Sequence, residues 1–291
     1  MTAVSGRPPV VDPDRIRLVA SVCVTADGAD PLDEATWLAL RHPARHSVDA
    51  TVTADRFALV VDGALSLAVH PDARRRGYAG ILLAEVLPRH PGPLVAWSHG
   101  NHPAAAVLAS RHAFARVRDR WVLRRPTAEP VPDLRLPDGV AIRGYRPEDR
   151  DDLLRVNAAA FAGHPEQGAM DAADLAARMA EPWFDPADLL LAHEPQGRLL
   201  GFHWTKVHSA ESGEIYVLGV APEGQGRGLG KALTLAGLHH LAGRGVAEVH
   251  LYVESDNTPA VALYTGQGFT HADADTHVMY ARPPIDPVDI T

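Results

Sequence analysis

The sequence predicts an α/β protein whose mixed sheet carries helices on both faces, built twice in tandem. Three observations predict it. "LSLAVHPDARRRGYAGILLAEVL" (65–87) lies over "YVLGVAPEGQGRGLGKALTLAGL" (216–238) without a gap, and each reads as strand, Pro-containing loop, glycine turn and apolar helix. "NHPAAAVLASRHAF" (101–114) then matches "NTPAVALYTGQGF" (257–269) with one residue of slippage. Between the copies, "RRPTAEPVPDLRLPDG" (124–139) has four prolines, the composition of a semi-stiff extended linker.

In the second copy the elements follow in order. A strand over 140–144 precedes a helix over 147–160, which Pro147 can open at its first turn. A loop, "AGHPEQGAM", leads to a short helix near 171–180. Strands cover 188–193, 199–208 and 214–220, the first two joined by the turn-forming "EPQG". A helix over 228–242, a strand over 247–253, a helix over 258–266 and a last strand over 269–280 complete the copy. The first copy is a shorter version with Asp62-Gly63 as a hairpin turn. These readings set domains at 1–125 and 140–282, a linker at 126–139 and a flexible, proline-rich tail at 283–291.

Composition narrows the function. The chain has 291 residues, 46% apolar and 22% charged, in the range of soluble globular proteins. No run approaches the roughly 20 apolar residues of a membrane span. The N-terminus lacks a charged stretch followed by an apolar one, so no signal peptide is expected. Cys23 is the only cysteine, which excludes an intrachain disulfide or a Cys-based zinc cluster and suits a reducing cytoplasm. A net charge of −8 argues against nucleic-acid partners, since phosphate backbones attract positive fields. Arginine supplies nearly all the basic residues; the only lysines are Lys206 and Lys231.

The motif "QGRGLGK" (225–231) suggests an anion cradle. It fails the dinucleotide fingerprint, because Lys231 stands where the third glycine should be. It also fails the P-loop pattern, with Gln225 in place of the first glycine and Ala232 in place of the hydroxyl. A third pattern, [QR]-x-x-G-x-[GA] between strand and helix, fits twice: at Gln225, Gly228 and Gly230, and at Arg74, Gly77 and Ala79. Small residues there let successive N–H groups and a helix N-terminus surround a diphosphate.

In this turn the chain resembles the GNAT acyltransferase superfamily, which implies two tandem GNAT-like domains and acetyl-CoA as co-substrate. "FAGHPEQG", "GFHWTKVH", "GEIYVLGV", "LTLAGLHHL" and "LYVESDNTPAVALY" further resemble the mycothiol synthase family, tandem GNAT proteins that acetylate the cysteinyl amine of a glucosaminyl-inositol. The match covers nearly all of the second copy and is weaker in the first. It implies acetyl-CoA contacts at Leu218, Gly219, Val220, Gln225, Gly226, Arg227, Gly228, Leu229, Gly230 and Lys231, and at Asn257, Thr258, Pro259, Ala260, Val261 and Ala262. By the repeat, the first copy offers Leu67, Ala68, Val69, Arg75, Arg76, Gly77, Tyr78, Ala79 and Gly80.

Acyl transfer to an amine needs a base for the amine and an acid for the departing thiolate. The resemblance makes Glu214 the general base and Tyr264 the general acid. A solvated strand-end glutamate and a core aromatic are their plain structural alternatives. Substrate contacts are implied for Glu166, Lys206, Glu214 and Tyr252. Glu34 is a further candidate, although a solvated helix-start glutamate explains it as well. Glu214 aligns with Gly63 and Tyr264 with Leu108 or Ala109, so the first copy is expected to hold acetyl-CoA without chemistry. The densest histidine groups, "HGNH" (99–102) and His239-His240, lack metal-site spacing, so no metal is expected. Small-molecule partners, a monomer and no membrane partner complete the expectation. The competing readings are another amine acceptor, such as an aminoglycoside, a polyamine or a peptide N-terminus, and a CoA-binding sensor without catalysis.

Overall fold

The computed structural model describes residues 12–163 and 167–283. They form two compact units, one of residues 12–121 with 272–283, the other Val122–His271. Among these residues no helix is long and apolar enough to cross a membrane.

The first unit opens with helices α1 (Pro13–Asp27) and α2 (Glu34–Arg41). Asp12 and Asp33 cap them, accepting from the amides of Arg15 and Thr36 at 3.0 and 2.7 Å, and Gly28 ends α1 in the left-handed region. Strands β1 (Val48–Val52), β2 (Arg56–Val61) and β3 (Ala64–Val69) form an antiparallel meander, with Asp62 and Gly63 at positive φ in the expected hairpin turn. Helix α3 (Tyr78–Val86) crosses to β4 (Leu94–Ser98), which pairs parallel with β3; α4 (Pro103–Arg111) follows. Ile16, Val19, Phe57 and Leu59 fill one side of the sheet. Leu82, Leu83, Leu94 and Phe114 fill the other.

Strand β5 (Ala115–Pro126) carries the chain into the second unit. That unit contains β6 (Ala141–Gly144), α5 (Arg150–Ala160), α6 (Ala172–Met179), β7 (Leu189–His193), β8 (Leu199–Val207), β9 (Ser212–Val220), α7 (Leu229–Gly243), β10 (Glu248–Glu254) and α8 (Thr258–Thr265). Its strands run in the order β10-β9-β8-β7-β6, antiparallel except for the β9–β10 pair. Pro147 opens a short 3-10 turn before α5 rather than the α-helix itself.

Strand β11 (Thr270–Arg282) departs from the domain limits read in the sequence. The sequence puts residues 269–280 at the end of the second copy, yet from Ala272 onward they group with the first unit. The cause is pairing: Val278 to Arg282 run antiparallel to β4, and Val278 and Tyr280 join the core around Leu82 and Phe114. A β-strand finds its partner by ladder and face, neither of which is local in sequence.

A buried histidine ties α7 to β8. His203 is wholly enclosed, its Nδ1 is 2.7 Å from the carbonyl oxygen of Leu233, and its Nε2 has no partner. Desolvation pushes its pKa down to about 4, so it is neutral in the fold. The unfolded chain binds a proton that the folded one refuses. Stability from this burial is therefore complete above the ordinary histidine value and is lost as pH falls toward the depressed one, by about 3 kcal/mol. Urea unfolding of wild type and His203→Gln between pH 7 and pH 4 checks this: the wild type is expected to lose more.

Candidate active site

The turn after β9 has the geometry of an anion cradle. Pro222–Gly224 form a 3-10 turn, Gln225 is extended, and Gly226 and Gly228 take φ of +72° and +76°. L side chains rarely adopt such angles, and a Cβ on either glycine would meet nothing within 4 Å. Open space beside left-handed backbone is what a ligand needs to approach closely. Gly228 caps α7 without a side-chain acceptor, so the first amides of this 15-residue helix face outward unsatisfied by any cap. The Gln225 amide donates to the Val220 carbonyl at 3.3 Å, tying the turn to β9, while Arg227 pairs with Glu194 at 3.0 Å. That guanidinium, with Arg198, holds the Glu194 carboxyl below its ordinary pKa.

Beside the cradle, two parallel strands part. The β9–β10 ladder runs from Ser212↔Glu248 to Ile215↔Leu251 and stops, although β9 continues to Val220 and β10 to Glu254. On its other edge β9 stays paired with β8 as far as Val220, with a bulge where Trp204↔Val217 gives way to Thr205↔Ile215. Residues 217–220 thus offer main-chain donors and acceptors along the β10 edge, the kind of edge that receives an extended ligand as a strand would. Asn257 caps α8 by accepting from the Ala260 amide at 3.2 Å, and Thr258 to Ala262 form its exposed or half-buried opening turns. Gly230 lets α7 approach Leu263 of α8. The proposed acetyl-CoA residues of the second copy therefore lie on this splayed edge, this turn and these two helix starts.

At the point of parting lies a polar cluster. Glu214 faces Lys206 across the β8–β9 ladder and His250 across the β9–β10 ladder, and all three are buried. The Glu214 Oε2 is 2.7 Å from His208 Nε2. The His208 and His250 rings stack at 5.4 Å and 28°, Ser212 Oγ lies 3.2 Å from His250 Nδ1, and Tyr252 meets the His250 ring edge-on at 5.8 Å. Burial pushes the His250 pKa down, against the pull of the Glu214 charge. The Lys206 Nζ sits 4.5 Å from the Trp183 ring centre and 5.2 Å from that of Tyr216. Two electron-rich faces stabilise an ammonium taken from water.

Of the residues expected to contact substrate, Glu214 and Lys206 stand opposite each other, and Tyr252 joins them through the ring of His250. Glu166 lies outside the described residues, and Glu34 is exposed at the first position of α2 in the other unit. Tyr264 is buried on α8, edge-on to Phe269 at 5.8 Å; burial pushes its phenol far above the ordinary value. His208, His250 and Trp183 are the residues the sequence reading missed. Each comes from a different segment, so no spacing rule could join them. The two histidines and Glu214 place their donor atoms within 4.8 Å of one another, the one such group among the described residues. Glu214 already shares Oε2 with His208, and we assign no metal to the cluster.

The first unit repeats the cradle. Arg74 is extended, Arg75 and Gly77 have φ of +61° and +82°, and Gly77 caps α3. The β3–β4 ladder stops after Leu65↔Ala96 while β3 runs on to Val69 and β4 to Ser98. Arg74 Nε donates to the Val69 carbonyl at 3.0 Å, as Gln225 does to Val220, and its guanidinium grips both Asp27 oxygens at 2.6 Å. Gly63 occupies the place of Glu214, in the hairpin turn.

A splayed pair of strands, a bulge and a glycine cradle at a helix start define an acyl-CoA-dependent acyltransferase fold, and the Acetyltransferase (GNAT) family model matches residues 153–269. Among solved structures, a tandem GNAT protein from the clavulanic acid biosynthesis pathway superposes with TM-score 0.69 at 18% identity, over 92% of this chain and 94% of that one. A GCN5-related N-acetyltransferase from Sphaerobacter thermophilus gives 0.66 at 24% identity, over 96% of both. A mycothiol acetyltransferase of Nocardioides sp. is 60% identical over 91% of this chain and 95% of its own length. One of Salinispora tropica is 49% identical over 91% of each. The chain belongs to the mycothiol acetyltransferase family and is an acetyltransferase.

Proposed function

We propose that the protein transfers the acetyl group of acetyl-CoA to the cysteinyl amine of cysteinyl-glucosaminyl-inositol, the last step of mycothiol biosynthesis. The observation that carries the reading is the position of Glu214: buried, on the strand that leads into the cradle, at the residues where β9 and β10 part. The cradle at 225–231 holds the pyrophosphate, and the free edge of residues 218–220 aligns the pantetheine arm and thioester. An α-amine has an ordinary pKa of about 7.7–8.0, so a carboxylate suffices to take its proton. The amine nitrogen attacks the thioester carbon while Glu214 accepts the proton; the C–S bond then breaks and the thiolate takes the Tyr264 proton. Lys206 and Tyr252 contact the hydroxyl-rich acceptor, and no metal is required.

In this reading the first unit can hold acetyl-CoA at its own cradle but performs no chemistry, lacking both proton-transfer groups. The enzyme works in the cytoplasm as a monomer; its single cysteine and acidic composition fit that setting.

Burial keeps Tyr264 protonated through any ordinary assay pH, as a proton donor must be. Tyr264→Phe is therefore expected to lower kcat by about 10- to 100-fold with the KM for acetyl-CoA unchanged. Steady-state kinetics check it, and an undiminished kcat would remove Tyr264 from the mechanism. The substrate is tested by incubating the protein and acetyl-CoA with cysteinyl-glucosaminyl-inositol and with a panel of unrelated amines, locating the added acetyl by mass spectrometry. Acetylation of the other amines alone would sink the mycothiol reading.

A further inference from the structure

We propose that His208 is the positioning residue of the base: it holds one oxygen of Glu214 so that the other is presented to the acceptor amine. This rests on Glu214 being the base. A carboxylate on a flexible side chain rotates, and catalysis improves when its orientation is set in advance by a neighbour that is itself held. His208 meets that condition. It stands one residue beyond the end of β8, with Nε2 2.7 Å from Glu214 Oε2. Its ring packs flat on His250, which is fixed in turn by Ser212 and by the Tyr252 edge. The His208 side chain is 37% exposed while that of Glu214 is 9%, so the pair reaches from solvent to the buried carboxylate.

The surrounding charges leave this role to His208. Lys206, opposite Glu214 on β8, is engaged over Trp183 and Tyr216. Arg124 of β5 and Glu248 of β10 pair with each other at 2.9 Å. His250 of β10 is desolvated and so favours its neutral form. The donor Nε2–H serves Glu214 whether His208 is neutral or protonated.

Kinetics of His208→Ala, His208→Gln and Glu214→Gln, with acetyl-CoA and cysteinyl-glucosaminyl-inositol, test the proposal. Alanine leaves the carboxylate free to turn, and kcat is expected to drop about 10- to 100-fold with the KM for acetyl-CoA unchanged. Glutamine can donate the same hydrogen bond, so kcat of the His208→Gln enzyme is expected to return to within about 3-fold of wild type. A His208→Ala enzyme with wild-type kcat overturns the proposal. So does an equal fall of both variants accompanied by a lower melting temperature, which would mark a structural role. An active Glu214→Gln enzyme defeats the reading of Glu214 itself. An inactive Glu214→Gln enzyme beside an unimpaired His208→Ala enzyme defeats only the role of His208.

Discussion

Replacing Glu214 by glutamine is expected to lower kcat/KM for the amine by about 10²- to 10⁴-fold. Glutamine has nearly the same shape and can still bond to His208, so the fold and the β8–β9 ladder should survive. The lost property is the basic lone pair that takes the amine proton. Glu214 lies in the ladder segment, before the strands part, whereas the cradle begins eleven residues later, at Gln225. Acetyl-CoA affinity measured calorimetrically should therefore stay within about 2-fold of wild type. Rate and binding together separate the outcomes. A slow variant that binds acetyl-CoA normally supports the base, whereas a slow variant that has lost acetyl-CoA would show that the change disturbed the cradle. Wild-type turnover would remove Glu214 from the chemistry.

The second large effect concerns folding. Gly237→Ala in α7 is expected to destabilise the protein by about 3 kcal/mol or more, although alanine is the better helix former by about 1 kcal/mol. A Cβ at this position would lie 1.9 Å from Cε1 and 2.3 Å from Nδ1 of His203, far inside van der Waals contact. His203 cannot give way cheaply, since it is fully enclosed and bonded to the Leu233 carbonyl. Displacing it breaks a buried hydrogen bond and shifts β8, the strand that carries Lys206. Gly243→Ala, in the last turn of the same helix, is the control: a Cβ there meets nothing within 4 Å, so it should be neutral or slightly stabilising. Thermal melts of the two variants decide the matter. Equal melting temperatures would mean that the contact with His203 is soft.

Much of the fold was legible because repeat, period and punctuation agree. The strand–turn–helix around each cradle follows from apolar runs broken by proline and glycine, and in the second unit the predicted element limits fall within a few residues of those observed. The left-handed angles at Gly77 and Gly228 follow from residue type, since few other residues take them at low cost. The proposal of Glu214 and Tyr264 as the proton-transfer groups came from family resemblance alone. Helices α1 and α2 were not legible, because the residue-by-residue match between the copies begins only at residue 65, although the structure places them before β1–β3 as α5 and α6 stand before β7–β9.

What the sequence determined by itself is the local elements of the second copy, the duplication, the two glycine cradles and the family. These depend on residues close together in the chain. Tertiary structure alone decided that β11 pairs with β4, that β9 and β10 part after Ile215, and that His208 and His250 close around Glu214. Each of these is a pairing between segments far apart in sequence, settled by ladder register and by which face is buried. A one-residue change of register would send every such side chain to the opposite face, so no local pattern can encode the site without the sheet that assembles it.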